Sequence, residues 1–220
     1  MITKESPEAV LLSTAYLPPV EYFIAILQAK KTYLEVQEHY IRQTYRNRCL
    51  IATAGGVHAL SIPVSKLLPN HCPIKDIKID YSENWQRAHW KTIETAYNKS
   101  PFFLYYRDYL EVFYTRETIF LLDFNSQMLE VMGSLLNMQI RMIPTESYVK
   151  ETSAGCRDLR QVINPKKCLS PDYSFRNINA YRQVFNDKSA FIPNLSILDL
   201  LFNEGNLSAD YLKQNLRLFA

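Results

Sequence analysis

The chain has 220 residues, a net charge of +3, 47% hydrophobic and 21% charged residues, and four cysteines with no CxxC pair. That composition is ordinary for a soluble globule of one domain, or one domain with an extension, large enough to bury a core without disulfide or metal staples. The small, evenly spread charge argues against a nucleic-acid partner, the isolated cysteines against a zinc or thioredoxin-like site, and the lack of an apolar run near 18 residues against a membrane span. No signal peptide is read at the start, so a cytoplasmic protein is expected.

Residues 1–9 read as a lead-in, and Val10 to Tyr16 as a buried strand that Pro18 and Pro19 must end. Val20, Phe23, Ile24 and Leu27 fall at i, i+3, i+4 and i+7, which predicts a helix starting at the prolines. Thr32 to Gln37 is a second strand. Strand, helix and strand in so short a stretch predict a parallel βαβ unit. The polar, aromatic stretch Glu38–Arg48 has no clean period and reads as a loop. Arg48–Thr53 and His58–Val64, joined through Ala54-Gly55-Gly56-Val57, predict a hairpin. Ile77, Ile79 and Tyr81 alternate with Asp76, Lys78 and Asp80, as in a half-exposed strand.

The middle third is predicted helical: Trp85–Asn98, then a helix with the stripe Phe103, Tyr106, Leu110 and Phe113, then Glu117–Asn137. The last carries two apolar rows, the mark of deep burial, with Asn125 inside one of them. Met138–Met142 reads as a last strand. Beyond Pro144 the chain turns loop-rich until LSILDLLFNEG, a short helix capped by Gly205. The expected fold is α/β, a mixed sheet with an N-terminal parallel βαβ unit, a hairpin and a helical middle third packing on the sheet. The expected organisation is a core over 1–143 and an extension over 144–220 that packs back on it.

Five constellations could carry chemistry. In YRNR, Tyr45 to Arg48, two guanidinium forks with Asn47 between them suit a carboxylate or phosphate; equally they could pair with acids of the sheet edge. Gln37, Glu38, His39 and Tyr40 follow a predicted strand end, where ligands of α/β sheets bind. Glu38 and His39 could there form an acid/base pair, or simply a surface loop. Trp85, His89 and Tyr97 share a helix face, so His89 is either a base reaching a cleft or a satisfied core histidine. Tyr16, Pro18, Pro19 and Glu21 form either an anion site at a helix start or a rigid turn. Asn125 either faces a cleft or ties helix to sheet. No metal-ligand spacing, glycine-rich phosphate loop or GxSxG elbow appears, so no metal is expected and the cofactor is unassigned. Each cysteine, Cys168 included, reads as structural.

At YLPPVEYF, QTYRNRC, SIPV, NWQRAHWKTIETAY, PFF and LSILDLLFNEG, in this order and spacing from about residue 11 to about residue 205, the chain resembles the WbqC-like family. The resemblance implies a place in bacterial surface-polysaccharide (O-antigen type) biosynthesis. It further implies a transferase that modifies a nucleotide- or lipid-linked sugar with glycine or an acyl group. Many members carry His-Gln-Pro just before the tyrosine-leucine-proline. Here that place holds Ser13-Thr14-Ala15, so no histidine is carried over. The resemblance covers Tyr16, Tyr45, Arg46, Asn47, Arg48, Trp85 and His89, and the strand-end reading adds Gln37, Glu38 and His39; together the expected site is catalytic His39, His89 and Glu38, with Tyr16, Gln37, Tyr45, Arg46, Asn47, Arg48 and Trp85 holding a small, anionic substrate. A non-catalytic binding or assembly subunit of the same pathway is the alternative. A homodimer through the aromatic surface of the middle helices is a third reading.

Overall fold

The structure, a computed structural model, describes residues 7–65, 71–166, 178–187 and 189–216; the reading of Cys168 lies outside them. It is an α/β protein with a four-stranded parallel sheet and an antiparallel hairpin. The sheet is built from β1 (Ala9–Ser13), β2 (Lys31–Glu35), β5 (Met142–Pro144) and β6 (Cys156–Asp158), in the order β5-β2-β1-β6. Helix α1 (Val20–Gln28) joins β1 to β2, whose register sets Ser13 opposite Glu35. The βαβ unit is thus the one that residue spacing predicts.

Strand β1 stops at Ser13, short of the predicted Tyr16. The next residues leave the ladder: the Tyr16 amide donates to the Tyr45 carbonyl at 2.8 Å, and Leu17 takes a φ of 41° before the prolines. The free amides at the start of α1 are used inside the protein. Val20 N–H donates to the Leu195 carbonyl at 3.1 Å and Glu21 N–H to Asn194 Oδ1 at 3.0 Å. The turn is therefore a rigid joint with the C-terminal segment, not an open anion site.

The hairpin pairs β3 (Arg48–Thr53) with β4 (Gly56–Ser61) across Ala54-Gly55. Ile77 and Ile79 alternate as expected, but the segment makes only isolated bridges, Lys78 to Phe120 and Ile79 to Val64. Those bridges hold residues 119–120 extended: Ile79 N–H donates to the Ile119 carbonyl and Leu121 N–H to that of Ile77. Consequently the long helix, α4, begins at Leu121 and not at Glu117, and runs to Leu135. Before it come α2 (Trp85–Tyr97), capped by the Asn84 side chain, and α3 (Phe103–Glu111).

The strand expected over Met138–Met142 begins only at Met142 and is not the last: Asn137 takes a φ of 53° and Met138 N–H donates back to the Gly133 carbonyl at 2.8 Å, so the chain after α4 is not yet extended. β6 arises in the stretch that shows no periodicity. It pairs Leu11 with Asp158, on the far side of β1 from β2. α5 (Ile197–Glu204) ends at Gly205, as expected; α6 (Ser208–Gln214) follows it. Ser196 N–H donates to the Leu50 carbonyl and Ile197 N–H to that of Pro18, so this segment stitches the hairpin to the β1–α1 turn. One core joins these parts, with Tyr16, Phe23, Tyr97, Phe103, Phe124 and Phe202 among its largest fully buried side chains.

Candidate functional site

Parallel strands end at one edge of the sheet. Going from β1 to β2 to β5 the chain moves one way across it; β6 then falls on the other side of β1. Crevices outside the carboxyl ends of strands, at such a reversal, are the general binding place of open α/β sheets. A cavity of about 390 Å³ lies here, lined by Gln37, Glu38 and His39 after β2, Asp158, Arg160 and Gln161 at the end of β6, and Ile41 and Tyr148.

The wall of this crevice is charged but internally satisfied. Glu35, fully buried at the end of β2, accepts from the Thr145 hydroxyl at 2.7 Å, the Gln37 and Val149 amides at 2.9 Å each, and Arg160 Nη1 at 3.2 Å. Arg160 also forks onto Asp158, Nε to Oδ1 at 2.9 Å and Nη2 to Oδ2 at 2.5 Å, and its guanidinium carbon stands 5.3 Å from the Tyr148 ring centre. Burial alone would raise the Asp158 carboxyl, but hydrogen bonds from Arg160 and its charge outweigh burial and hold it below the usual aspartate range.

Arg46 and Glu38 form a second clamp. Arg46 Nε and Nη2 donate to the two Glu38 carboxylate oxygens at 2.8 and 2.6 Å, with side-chain exposures of 3% and 6%. The remaining donors reach the Ser13 hydroxyl at 2.8 Å and Thr44 at 3.2 Å. The guanidinium predicted to grip a ligand anion grips Glu38, and Glu38 in turn presents to the crevice a carboxylate already bridged. Asn125 braces the pair: its Nδ2 donates to the Arg46 carbonyl at 2.8 Å and to Thr14 Oγ1 at 3.1 Å.

Other sequence-predicted residues fall elsewhere. Tyr16, Trp85 and His89 sit together in a buried aromatic nest with Tyr114 and Phe124, away from the lining of the crevice. His89 Nδ1 is 3.1 Å from the Tyr16 hydroxyl, which is 2.7 Å from that of Tyr114. Burial pushes His89 down to about 4, against a backbone hydrogen bond with Ser61 and with the charge of His58. A neutral ring whose Nε2–H faces the Ser61 carbonyl leaves Nδ1 to accept from Tyr16, and Tyr16 to accept from Tyr114. Burial likewise raises the Tyr16 hydroxyl far above its ordinary value. This chain is fully committed internally.

Arg48 donates from Nε to the Ser61 hydroxyl at the end of β4 at 3.0 Å, and Asn47 from Nδ2 to the carbonyl of Ile62, the residue after it, at 2.8 Å. Tyr45 is buried. His39 is exposed, with its ring centre 5.1 Å from that of His71. So Gln37, Glu38 and His39 share the crevice, Arg46 supports it from behind, and Tyr16, Trp85 and His89 form a separate core cluster. Cys49, Cys72 and Cys156 are free, and burial raises all three thiols. Among the described residues no three His, Cys, Asp or Glu side chains group as a metal would need, and no helix is long and apolar enough to cross a membrane.

Sequence reasoning missed Tyr148, Asp158, Arg160 and Gln161. The one available signal was Asp158-Leu159-Arg160, opposite charges two residues apart, which share a face when extended; three strand residues are too few to show a period.

The fold and the crevice define a class: a parallel α/β protein with a small-molecule-sized cleft at the carboxyl edge of its sheet. Within that class the chain belongs to the WbqC-like protein family, whose model matches residues 14–174. It is 26% identical over 226 residues to the protein named "Uncharacterized protein Rv1507c" of Mycobacterium tuberculosis (strain ATCC 25618 / H37Rv), covering 92% of this chain and 96% of that one. No solved structure matches it.

Proposed function

We propose that this WbqC-like protein is a cytoplasmic transferase acting on a nucleotide- or lipid-linked sugar in the building of bacterial surface polysaccharide. The pathway rests on the family resemblance. The chemistry rests on one observation: the crevice at the strand ends is lined by two amides, two carboxylates, an arginine and a tyrosine ring. Amides and carboxylates placed side by side pair with neighbouring hydroxyls as donor and acceptor, and an aromatic face covers the apolar side of a pyranose ring. Tyr148, 56% exposed, supplies that face. His39, at the same crevice, is the residue for proton transfer, since the lone pair of His89 is already taken by Tyr16.

A thermal-shift screen of sugar nucleotides and amino acids, followed by mass analysis of products, tests this reading. A sugar nucleotide should raise the Tm, Tyr148→Ala and Gln161→Ala should remove the shift, and His39→Ala should keep binding but stop product formation. No shift with any sugar nucleotide would remove the nucleotide-linked substrate, and no shift with a detergent-solubilised lipid-linked sugar as well would overturn the reading. The alternative, a non-catalytic binding subunit, draws on the internal pairing of Arg46 and Arg160, which leaves the wall rigid and its charges neutralised. It predicts binding without product. The homodimer reading draws on the outer face of α3, where Leu104, Tyr105 and Tyr109 are 70, 72 and 58% exposed. Light scattering that returns the single-chain mass of 25.7 kDa would remove it.

A further inference from the structure

The charged groups around the crevice are not equally open to a ligand. Its two guanidiniums, Arg46 behind the wall and Arg160 in it, have side chains only 3% and 6% exposed. Arg46 spends Nε and Nη2 on Glu38, Nη2 also on Ser13, and Nη1 on Thr44. Arg160 spends Nε and Nη2 on Asp158 and Nη1 on Glu35. The Asp158 side chain, by contrast, is 36% exposed. Its two oxygens accept three N–H bonds, all from Arg160, which leaves part of their accepting capacity to the crevice. Arg160 also keeps this carboxyl ionised at neutral pH, since it holds it below the usual aspartate range.

The charges also fail to cancel. Arg46 answers Glu38 alone, whereas Arg160 stands between two carboxylates, Asp158 and the fully buried Glu35. Three carboxylates meet two guanidiniums, and one negative charge is left over. A ligand can reach it at Asp158. A phosphate or carboxylate placed here would face that charge at close range and find no exposed arginine to offset it. A cation would meet the Asp158 carboxylate, the exposed Gln161 amide and the Tyr148 ring. Aromatic faces attract cations, and the Arg160 guanidinium, 5.3 Å from its centre, already uses this ring in that way.

We propose that the crevice selects the protonated amino group of an amino sugar, held by Asp158 beside the Tyr148 ring; this rests on the reading of the crevice as a sugar site. The phosphates of a nucleotide or lipid carrier then lie outside the crevice, and only the sugar enters it. A free amino acid fits less well. Its carboxylate is tied close to its ammonium and would be brought beside Asp158, with no exposed guanidinium to receive it. The anionic ligand expected from the arginines of YRNR is thus replaced by a cationic one, because those arginines are spent before a ligand arrives.

Saturation-transfer NMR titrations on the full chain at about pH 7, where an ordinary amine is mostly protonated, test the proposal. The probes are glucosamine, galactosamine and mannosamine, each beside its neutral parent sugar and its N-acetyl form, together with glucuronate and glycine. At least one amino sugar should bind about tenfold more tightly than its parent, its N-acetyl form, glucuronate and glycine, the scale of one charge-assisted contact. Acetylation removes the charge from the ligand without touching the protein. Asp158→Asn, which leaves Arg160 its bond to Glu35, should abolish the preference, and Tyr148→Ala, an exposed change, should weaken amino-sugar binding. Parent or N-acetyl sugars that bind as tightly as the amino sugars, or a preference for glucuronate, overturn the charge selection and leave the sugar reading standing. Glycine binding as tightly as any amino sugar overturns the assignment to a sugar amine. Silence from every amino sugar overturns the proposal; if a linked sugar still raises the Tm the sugar reading stands, and if none does it falls as well.

Discussion

Glu38→Gln removes the charge that holds Arg46 and barely changes the volume of the side chain. Arg46 is 2% exposed and donates two parallel hydrogen bonds to the Glu38 carboxylate. Water cannot replace the lost charge at that depth, so the guanidinium is left uncompensated, and breaking a buried pair from one side costs about 3–5 kcal/mol. For a chain of this size each kcal/mol moves the Tm by about 2–4 °C, so a drop of roughly 6–20 °C follows. Arg46→Met should cost a similar amount, because Glu38, Ser13 and Thr44 all lose a donor. The double variant Glu38→Gln/Arg46→Met leaves no buried charge and should be less destabilised than the sum of the two single variants by about 2–3 kcal/mol, the size of coupling expected for a shared network. Urea unfolding followed by tryptophan fluorescence measures all three. Because the pair is buried, the coupling should change little between low and moderate salt. Additive losses, or a Glu38→Gln cost under about 1 kcal/mol, as is usual for an exposed pair, would refute the clamp and return Arg46 to the role of a ligand-binding residue.

The pH profile should show two buried groups with opposite signs. Burial raises Glu21 from 4.5 to about 8, so the folded state holds a proton that the unfolded state releases, and stability is lost as pH rises from about 4.5 to 8; at about 1.4 kcal/mol per pH unit this is worth up to roughly 5 kcal/mol. Glu21→Gln should flatten that fall in chemical-denaturation curves taken from pH 5 to 9. His89, lowered from 6.5 to about 4, works the other way: its neutral form is favoured, and stability is lost as pH falls from about 6.5 to 4. A nitrogen-15 NMR titration should find it neutral at pH 6 with the proton on Nε2; a charged ring at pH 6 would contradict the Tyr114–Tyr16–His89 chain. Gly205→Ala should cost about 2–4 kcal/mol, since the residue has a φ of 56° and a Cβ there would meet Phe102 at 2.5 Å. A Tm unchanged within 1 °C would show that α5 ends differently.

The local elements were legible because their causes are local. Val20, Phe23, Ile24 and Leu27 mark α1 by their spacing, the two prolines mark its start, the two glycines mark the hairpin, and Gly205 ends α5. Those signals, with several motifs in order, were enough for the α/β fold and the family. Strand β6 was not legible: three residues carry no period, and a strand in the middle of a sheet edge is decided by its neighbour, here β1. Nor could spacing say what Arg46 touches. A fork eight residues from a carboxylate can face a ligand or that carboxylate, and only the folding of Glu38–Arg48 over the end of β1 turns it to Glu38. His89 shows the same limit, since a helix face that holds Trp85, His89 and Tyr97 is compatible with cleft or core until Tyr16 and Tyr114 close over it. Sequence by itself determined the elements, whose causes lie within a turn or a strand. Tertiary structure decided which polar groups are spent on one another and which still face a cavity, because that depends on residues tens to more than a hundred positions apart meeting at one edge of the sheet.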